Sequence, residues 1–179
     1  MKNILHKDLF IVHSEFISLS CSILTINDHS SNEDTSGNLL ENNLIEAGHK
    51  CIYRCLIKSN KYQIRRILSN WIADSTIQVI LTIGGTGYHF NDDTYQSVLP
   101  LLDEIIEGFG ELFRQISYKE IGSSTVQSRA FAGYANNTLI FCLPSSSNAC
   151  HTAWSKLLCE QLDSSYLPCN FSYRFKNKD

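Results

Sequence analysis

The segment from Gln78 to Asp93 constrains the fold of this chain more than any other. Val79–Ile83 is an almost continuous apolar run, which is typical of a strand covered on both faces. The glycine-rich turn Gly84–Gly87 follows at once, and Asp92 and Asp93 stand where the next helix should begin. Such a turn exposes backbone N–H groups that bind anions. The segment therefore predicts an α/β fold with a ligand site at the end of this strand.

Apolar periodicity predicts helices that alternate with strands. Five apolar residues recur at i, i+3, i+4, i+7 and i+8 in each of two segments, as on one face of a helix. These residues are Ile64, Ile67, Leu68, Trp71 and Ile72, and then Cys150, Ala153, Trp154, Leu157 and Leu158. Further helices are predicted at Leu40–Ala47, Asp93–Leu102 (with a break at Pro100) and Gly108–Ile116. Thr35 or Ser36 is the expected N-cap of the first of these, and Gly48 its C-cap.

The predicted strands are Phe16–Ile26, Lys50–Ile57, Val79–Ile83 and Thr138–Leu143. Their alternation with helices favours an α/β fold, a three-layer α/β/α sandwich with a mostly parallel central sheet. In such sheets ligands bind beyond the carboxyl ends of the strands.

Length and charge limit the classes of protein to consider. A chain of 179 residues is of the size of one domain. We expect a flexible arm over residues 1–13, one domain over residues 14–172 and a charged tail over residues 173–179. The net charge of −3 gives no electrostatic footprint for nucleic acid and no polybasic membrane patch. No segment approaches the ~20 apolar residues that span a membrane, and a cytoplasmic protein is expected.

The 7 cysteines are odd in number and irregularly spaced. No Cys-x-x-Cys pair occurs, and no Cys/His block has the spacing of a zinc site. Reduced thiols that pack as small apolar side chains are expected. The sequence assigns them no further role.

The sequence does not contain the Gly-x-Ser-x-Gly elbow of serine hydrolases.

The glycine turn has two interpretations. Gly84, Gly85, Thr86 and Gly87 form an anion-binding nest, or they form a tight turn without a ligand. The pattern matches neither the Rossmann fingerprint nor the P-loop. Asp92 is the candidate Mg²⁺ ligand, because Mg²⁺ takes one or two protein carboxylates together with substrate phosphates. Asp93 is interpreted as a helix cap, and the charges of the Asn27–Asp34 loop as solvated.

Two further loops follow predicted elements at the same edge of the sheet. The first contains Ser124, Thr125, Ser128 and Arg129. Arg129 forms either a bidentate phosphate contact or an ion pair between subunits. The second contains Pro144, Ser145, Ser146 and Ser147, whose hydroxyls either cap the next helix or join its free N–H groups in binding an anion.

Several motifs resemble the MoaB/MogA family of molybdenum cofactor biosynthesis proteins, and within it the bacterial MoaB branch. The similar stretches run in order from about Phe16 to Phe171. They are residues 33–37 (Glu-Asp-Thr-Ser-Gly), 81–87 (Leu-Thr-Ile-Gly-Gly-Thr-Gly), 107–114, 120–130, 138–141 and 168–171.

The resemblance implies a trimeric or hexameric α/β protein that binds molybdopterin, a nucleotide and other proteins of the cofactor pathway. Active members of the family adenylate the pterin phosphate with ATP and Mg²⁺. By resemblance, Gly84–Gly87 contact the ligand, and Asp92 is both the metal ligand and the catalytic residue. Residues 124–129 and 144–147 then form the pterin-side and phosphate-side walls.

Four departures from the family pattern favour an alternative, a pterin-binding or carrier protein that has lost adenylyl transfer. Ser145 stands where the family has glycine, and Asn27-Asp28-His29 where it has arginine. Ser59 lies in the loop that carries a second carboxylate in adenylating members, and Tyr95 replaces a proline. A third hypothesis is a homologue that keeps the fold without affinity for the ligand.

Overall fold

The computed structural model describes residues 16–28 and 33–176. The predicted arm over residues 1–13 and residues 177–179 of the predicted tail lie outside these ranges, as does His29. The strands are β1 (Ser20–Ile26), β2 (Lys50–Ile57), β3 (Val79–Ile83), β4 (Glu104–Ile105), β5 (Phe131–Ala135) and β6 (Thr138–Leu143). They form one sheet in the order β2-β1-β3-β6-β5-β4. The mostly parallel sheet is confirmed, since β2, β1, β3 and β6 pair in parallel. The remaining pairs, β4 with β5 and β5 with β6, are antiparallel.

The helices cover both faces of the sheet. They are α1 (Thr35–Glu46), α2 (Lys61–Ala73), α3 (Thr94–Val98), α4 (Glu107–Ile121), α5 (Ser147–Ala153) and α6 (Cys159–Gln161), with a π turn (Trp154–Leu158) between the last two. Short 3₁₀ helices occupy Leu99–Leu101, Gly122–Gln127 and Phe171–Phe175. Pro100 breaks the third predicted helix, as expected. Within the described ranges, no helix has the combined length and apolar character to cross a membrane.

The core is divided by the sheet into two clusters. Leu40 of α1, Phe113 of α4 and Leu157 of the π turn pack on one face. Ile64 of α2 and Val98 of α3 pack on the other. Each fully buried aliphatic side chain contributes about 2 kcal/mol of hydrophobic stabilisation. Because both faces of the central strands are covered, their carboxyl ends form an exposed edge where loops meet.

The structure corrects the predicted start of the first strand, which is Ser20 and not Phe16, and the predicted cap of the first helix. Asp34, rather than Thr35 or Ser36, is the N-cap of α1, and its carboxylate accepts a hydrogen bond from the N–H of Gly37 at 2.9 Å. The antiparallel strand β5 was not predicted. Its five residues are mostly small, and it is formed by a hairpin whose turn residues, Asn136 and Asn137, have φ of 45° and 67°.

His49 links the start of β1 to the core and is expected to make stability depend on pH. Its Nδ1 accepts the N–H of Leu19 at 3.2 Å, and its ring stacks on Phe16. Burial lowers the pKa of His49 below its usual value of 6.5, and the more distant Asp163 opposes this shift. The folded state therefore binds this proton less readily than the unfolded state does.

We expect the free energy of unfolding to fall as the pH decreases below 6.5. One proton can change it by at most about 1.4 kcal/mol per pH unit. Above this pH, the residue is neutral in both states and contributes no slope. Urea denaturation from pH 5 to pH 8 measures the effect. His49→Gln, which keeps an acceptor, should flatten the curve. His151→Gln, at an exposed position, should leave the curve unchanged. Equal slopes of unfolding free energy against pH in the wild type and both variants would contradict this role of His49.

Candidate functional site

The glycine turn after β3 is held in a conformation that only glycine adopts easily. Gly84 and Gly85 have φ of +94° and +64°, in the region that other residues rarely occupy. The N–H of Gly84 donates to the carbonyl oxygen of Leu143 at 2.9 Å, which joins the turn to the end of β6. Fully buried Thr94 donates from Oγ1 to the carbonyl oxygen of Gly84 at 2.6 Å. Its N–H donates to the carbonyl oxygen of Gly85 at 3.0 Å.

Two clefts flank this turn at the carboxyl edge of the sheet. The first, here called the β1 cleft, has a volume of about 330 Å³ and is lined by Ile26, Asn27, Asp28, Ser59, Gly85, His89, Asn91, Asp92 and Ser145. The second, the α4 cleft, has a volume of about 300 Å³ and lies between the glycine turn, α4 and the loop after β6. Gly85, Asp92 and Ser145 line both clefts. Two ligands bound side by side would therefore meet at these three residues.

Asp92 stands at this junction on the loop of residues 85–92, here called the Asp92 loop. Its Oδ2 accepts the N–H of His89 at 2.6 Å, which orients the carboxylate within the loop. The β1 cleft also contains oxygen atoms of Asn27, Asn91 and Ser59 that could serve as metal ligands. A set of hard oxygen ligands with few carboxylates fits Mg²⁺ bound together with phosphates. A cage of three or more His, Cys, Asp or Glu side chains is absent from the described residues.

Asp28 is a cleft residue that sequence reasoning missed, since it was interpreted as solvated loop charge. It follows β1 and lines the β1 cleft together with Asp92. Its Oδ1 accepts the N–H of Ser59 at 2.7 Å. The loop after β2 thus brings no carboxylate of its own, but its backbone holds one that comes from the loop after β1. No sequence pattern joins these residues, because they are 31 positions apart.

Asp93 does not cap α3 in the predicted way. It occupies the N-cap position but makes no capping hydrogen bond. Its Oδ2 instead accepts the hydroxyl of Ser59 at 3.3 Å. Asp93 lines neither cleft, so the two neighbouring carboxylates have different surroundings.

The serine-rich loop after β6 brings two helix N-termini together. Ser146 caps α5 by accepting the N–H of Ala149 at 3.2 Å. Ser36, in the first turn of α1, donates to the carbonyl oxygen of Ser145 at 2.8 Å and lies 3.0 Å from the Ser147 hydroxyl. Ser145 has no positive φ, so its backbone conformation does not require the glycine of the family pattern.

Cysteine chemistry is not indicated beside the clefts. Cys150 lies under the loop after β6, where burial raises the pKa of its thiol to about 12. Its Sγ donates to the carbonyl oxygen of Pro144 at 3.4 Å. A thiol with this pKa stays protonated and is a poor nucleophile at neutral pH. All 7 cysteines are free in the structure, and their reduced state stays a prediction.

The structure brings most of the predicted site residues into the two clefts and leaves four outside them. Those inside are Gly85, Thr86, Gly87, Asp92, Ser124, Ser128, Pro144, Ser145 and Ser146. Those outside are Gly84, Thr125, Arg129 and Ser147. Gly84 shapes the turn, and Ser147 contacts α1. Thr125 is 5% exposed, and its hydroxyl has no partner among the described residues. Arg129 points its guanidinium at the back of the Asp92 loop. The roles of all these residues in ligand binding stay predictions.

Comparison with known proteins identifies the family. A family model described as "Probable molybdopterin binding domain" matches residues 15–164. The chain belongs to the MoaB/MogA family of molybdenum cofactor biosynthesis proteins. Molybdenum cofactor biosynthesis protein B of Escherichia coli K12 is 47% identical over 166 residues, which cover 92% of this chain and 98% of the relative. The protein of the same name from Bacillus cereus is 43% identical over 144 residues, covering 79% and 85% of the two chains.

Solved structures of MoaB proteins have the same fold. A crystal structure of a molybdenum cofactor biosynthesis protein B superposes with a TM-score of 0.78 at 41% identity, covering 83% of this chain and 94% of that one. The tungsten cofactor synthesizing protein MoaB from Pyrococcus furiosus superposes with a TM-score of 0.73 at 32% identity, covering 80% and 92%. The resemblance and fold class predicted from sequence are thus confirmed.

Proposed function

We propose that this protein acts in molybdenum cofactor biosynthesis by binding molybdopterin and adenylating its terminal phosphate with MgATP. The observation that carries the proposal is the junction of two clefts at Gly85, Asp92 and Ser145. A transfer between two anionic molecules requires adjacent pockets and a group that offsets their mutual repulsion.

The linings of the clefts suit different parts of the two ligands. The α4 cleft includes the apolar side chains of Phe113, Ile121 and Pro144, which suit the flat pterin ring. The β1 cleft includes Asp28, Asp92 and several amide and hydroxyl groups, which suit a nucleotide with its metal. This is the fit expected of ligand sites that combine apolar walls with a few placed polar groups.

The residues at the junction would then have separate tasks. The N–H groups of the Gly85–Gly87 turn would hold a phosphate, and Asp92, with Asp28 in the same cleft, would hold Mg²⁺. Mg²⁺ held there would neutralise charge on the phosphate oxygens and on the pyrophosphate that leaves ATP as the adenylyl group passes to the pterin phosphate. Alignment of the phosphates by the turn and by the serine loop lowers the barrier without a covalent enzyme intermediate.

A second candidate function is that of a pterin-binding or carrier protein without adenylyl transfer. The observation that favours it is Ser145, which lines both clefts at the point where the two ligands would meet and has a side chain where the family pattern has glycine. One experiment separates the two candidates, in which purified protein is incubated with molybdopterin, Mg²⁺ and labelled ATP. Formation of adenylated molybdopterin supports the enzyme, and tight pterin binding without turnover supports the carrier. Failure of both binding and turnover contradicts both. The trimer or hexamer implied by the family stays a prediction that light scattering would measure.

Ser145→Gly is expected to increase the affinity for molybdopterin by roughly tenfold, since one methylene group in a pocket changes affinity by about that factor. The reason is that removal of the side chain opens the junction, while its backbone contact with Ser36 is kept. Titration of wild-type and variant proteins with molybdopterin measures the change. Ser123→Gly, at an exposed position outside both clefts, is the control. Weaker binding by Ser145→Gly would mean that the hydroxyl contacts the ligand.

A further inference from the structure

Arg129 lies behind the Asp92 loop, outside both clefts. It lines a separate cavity of about 550 Å³ beside the start of α4. We propose that Arg129 is a positioning residue that holds the Asp92 loop, and with it the Asp92 carboxylate, without contacting phosphate itself. The proposal deepens the proposed function, because it assumes that Asp92 is the metal ligand.

The guanidinium of Arg129 ties two parts of the loop together. One nitrogen, Nη2, donates to the carbonyl oxygen of Gly87 and, at 3.3 Å, to that of Asp92. The backbone N–H of Arg129 also donates to the carbonyl oxygen of Thr86 at 2.8 Å. One residue thus fixes the beginning and the end of the segment that carries Asp92.

Two tyrosines hold the guanidinium in place. Its central carbon lies 4.5 Å from the ring centre of Tyr88 and 5.0 Å from that of Tyr95. The Nε–H is buried and has no hydrogen-bond partner among the described residues. Arg129 is partly buried, and hydrogen bonds from a charged donor to carbonyl oxygens are stronger than those between neutral groups. Tyr88 belongs to the loop itself, so that the stacking adds a third attachment.

The link to the carboxylate passes through the loop backbone. The Asp92 carboxylate accepts the N–H of His89, and His89 lies between Gly87 and Asp92, the two residues whose carbonyl groups Arg129 holds. Loss of the guanidinium would release Gly87 and the Asp92 carbonyl group together, and the carboxylate would lose its fixed direction. Lysine cannot replace it, because an ammonium lacks the planar fork that bonds and stacks at once.

The first test needs no ligand. Amide hydrogen exchange, followed by NMR, is measured in wild-type protein, Arg129→Met and Arg114→Met. Arg114 is the matched control, since it lines the same cavity and donates to the carbonyl oxygen of Ala130 at 3.0 Å, away from the loop. We expect exchange at His89 to become about tenfold faster in Arg129→Met only, because local opening sets this rate. Equal exchange in the two variants overturns the proposal.

The second test uses ATP, with and without Mg²⁺, in calorimetric titrations. We expect Arg129→Met and Arg129→Lys to weaken binding of MgATP by roughly 10- to 100-fold, as substitutions of residues that orient a metal ligand do. Binding of metal-free ATP should not change. If Arg129 contacts phosphate directly, metal-free ATP binds more weakly to Arg129→Met and the lysine variant retains affinity, which overturns the proposal. If wild-type protein binds no MgATP, the proposed function fails, and the exchange experiment still decides the role of Arg129 in holding the loop.

Discussion

Replacing Gly84 with alanine is expected to lower the free energy of unfolding by about 3 to 5 kcal/mol, because backbone strain and steric overlap combine. The φ of +94° is unfavourable for any residue with a Cβ. That Cβ would lie 2.2 Å from the carbonyl oxygen of Ile26 at the end of β1. The backbone cannot move to relieve the overlap without losing the hydrogen bond from Gly84 to Leu143. Since domains are stable by only about 5 to 15 kcal/mol, much of the stability would be lost.

Chemical denaturation of Gly84→Ala and Gly108→Ala measures this effect with an internal control. Gly108 lies in the first turn of α4, and a Cβ there meets nothing within 4 Å. Alanine at this position should therefore increase stability by about 0.5 to 1 kcal/mol, the usual gain inside a helix. A loss of stability at Gly84 no larger than the change at Gly108 would contradict the close approach between the turn and β1.

Asp92→Asn is expected to lower the rate of molybdopterin adenylation by about 100-fold or more, as a lost metal ligand costs several kcal/mol in the transition state. Asparagine keeps an oxygen that can accept the N–H of His89, so the loop should retain its conformation. The stability should accordingly change by less than about 0.5 kcal/mol. The assay measures adenylated molybdopterin as a function of Mg²⁺ concentration.

Asp93→Asn is the matched control for this prediction. It removes the same charge one residue further along the chain, from a side chain that lines neither cleft. We expect its Mg²⁺ dependence to be that of the wild type. Equal losses in both variants would point to a general effect of charge and argue against Asp92 as the metal ligand. Full activity in Asp92→Asn would show that Asp92 is not the metal ligand.

Three strands were predictable to the residue, namely Lys50–Ile57, Val79–Ile83 and Thr138–Leu143. Val79–Ile83 and Thr138–Leu143 are buried along their whole length, and burial of a strand selects apolar side chains. Lys50–Ile57 is an edge strand with no fully buried residue, and its bounds follow from Gly48 before it and Ser59-Asn60 after it. Phe131–Ala135 has small residues and no clear period, so its pairing with β6 depends on the hairpin turn. The predicted N-cap of α1 was wrong for a similar reason. Asp34 was favoured over Thr35 because its carboxylate also accepts the Thr25 hydroxyl and an Arg54 N–H, contacts that exist only in the folded chain.

The amino-acid sequence by itself determined the parallel sheet, the glycine turn, the family and the candidate metal ligand. The glycine turn and the candidate metal ligand depend on residues that are close in the chain, where backbone freedom acts directly. The sheet and the family depend on local patterns and motifs that recur in order along the chain. Only the tertiary structure decided that Asp28 faces the same cleft as Asp92 and that Arg129 supports the Asp92 loop from behind. The hydrogen bonds that hold these residues, from Ser59 to Asp28 and from Arg129 to the Asp92 loop, join positions 31 to 42 residues apart. The order of the strands in the sheet brings such residues together at one edge. A linear pattern carries no record of that order.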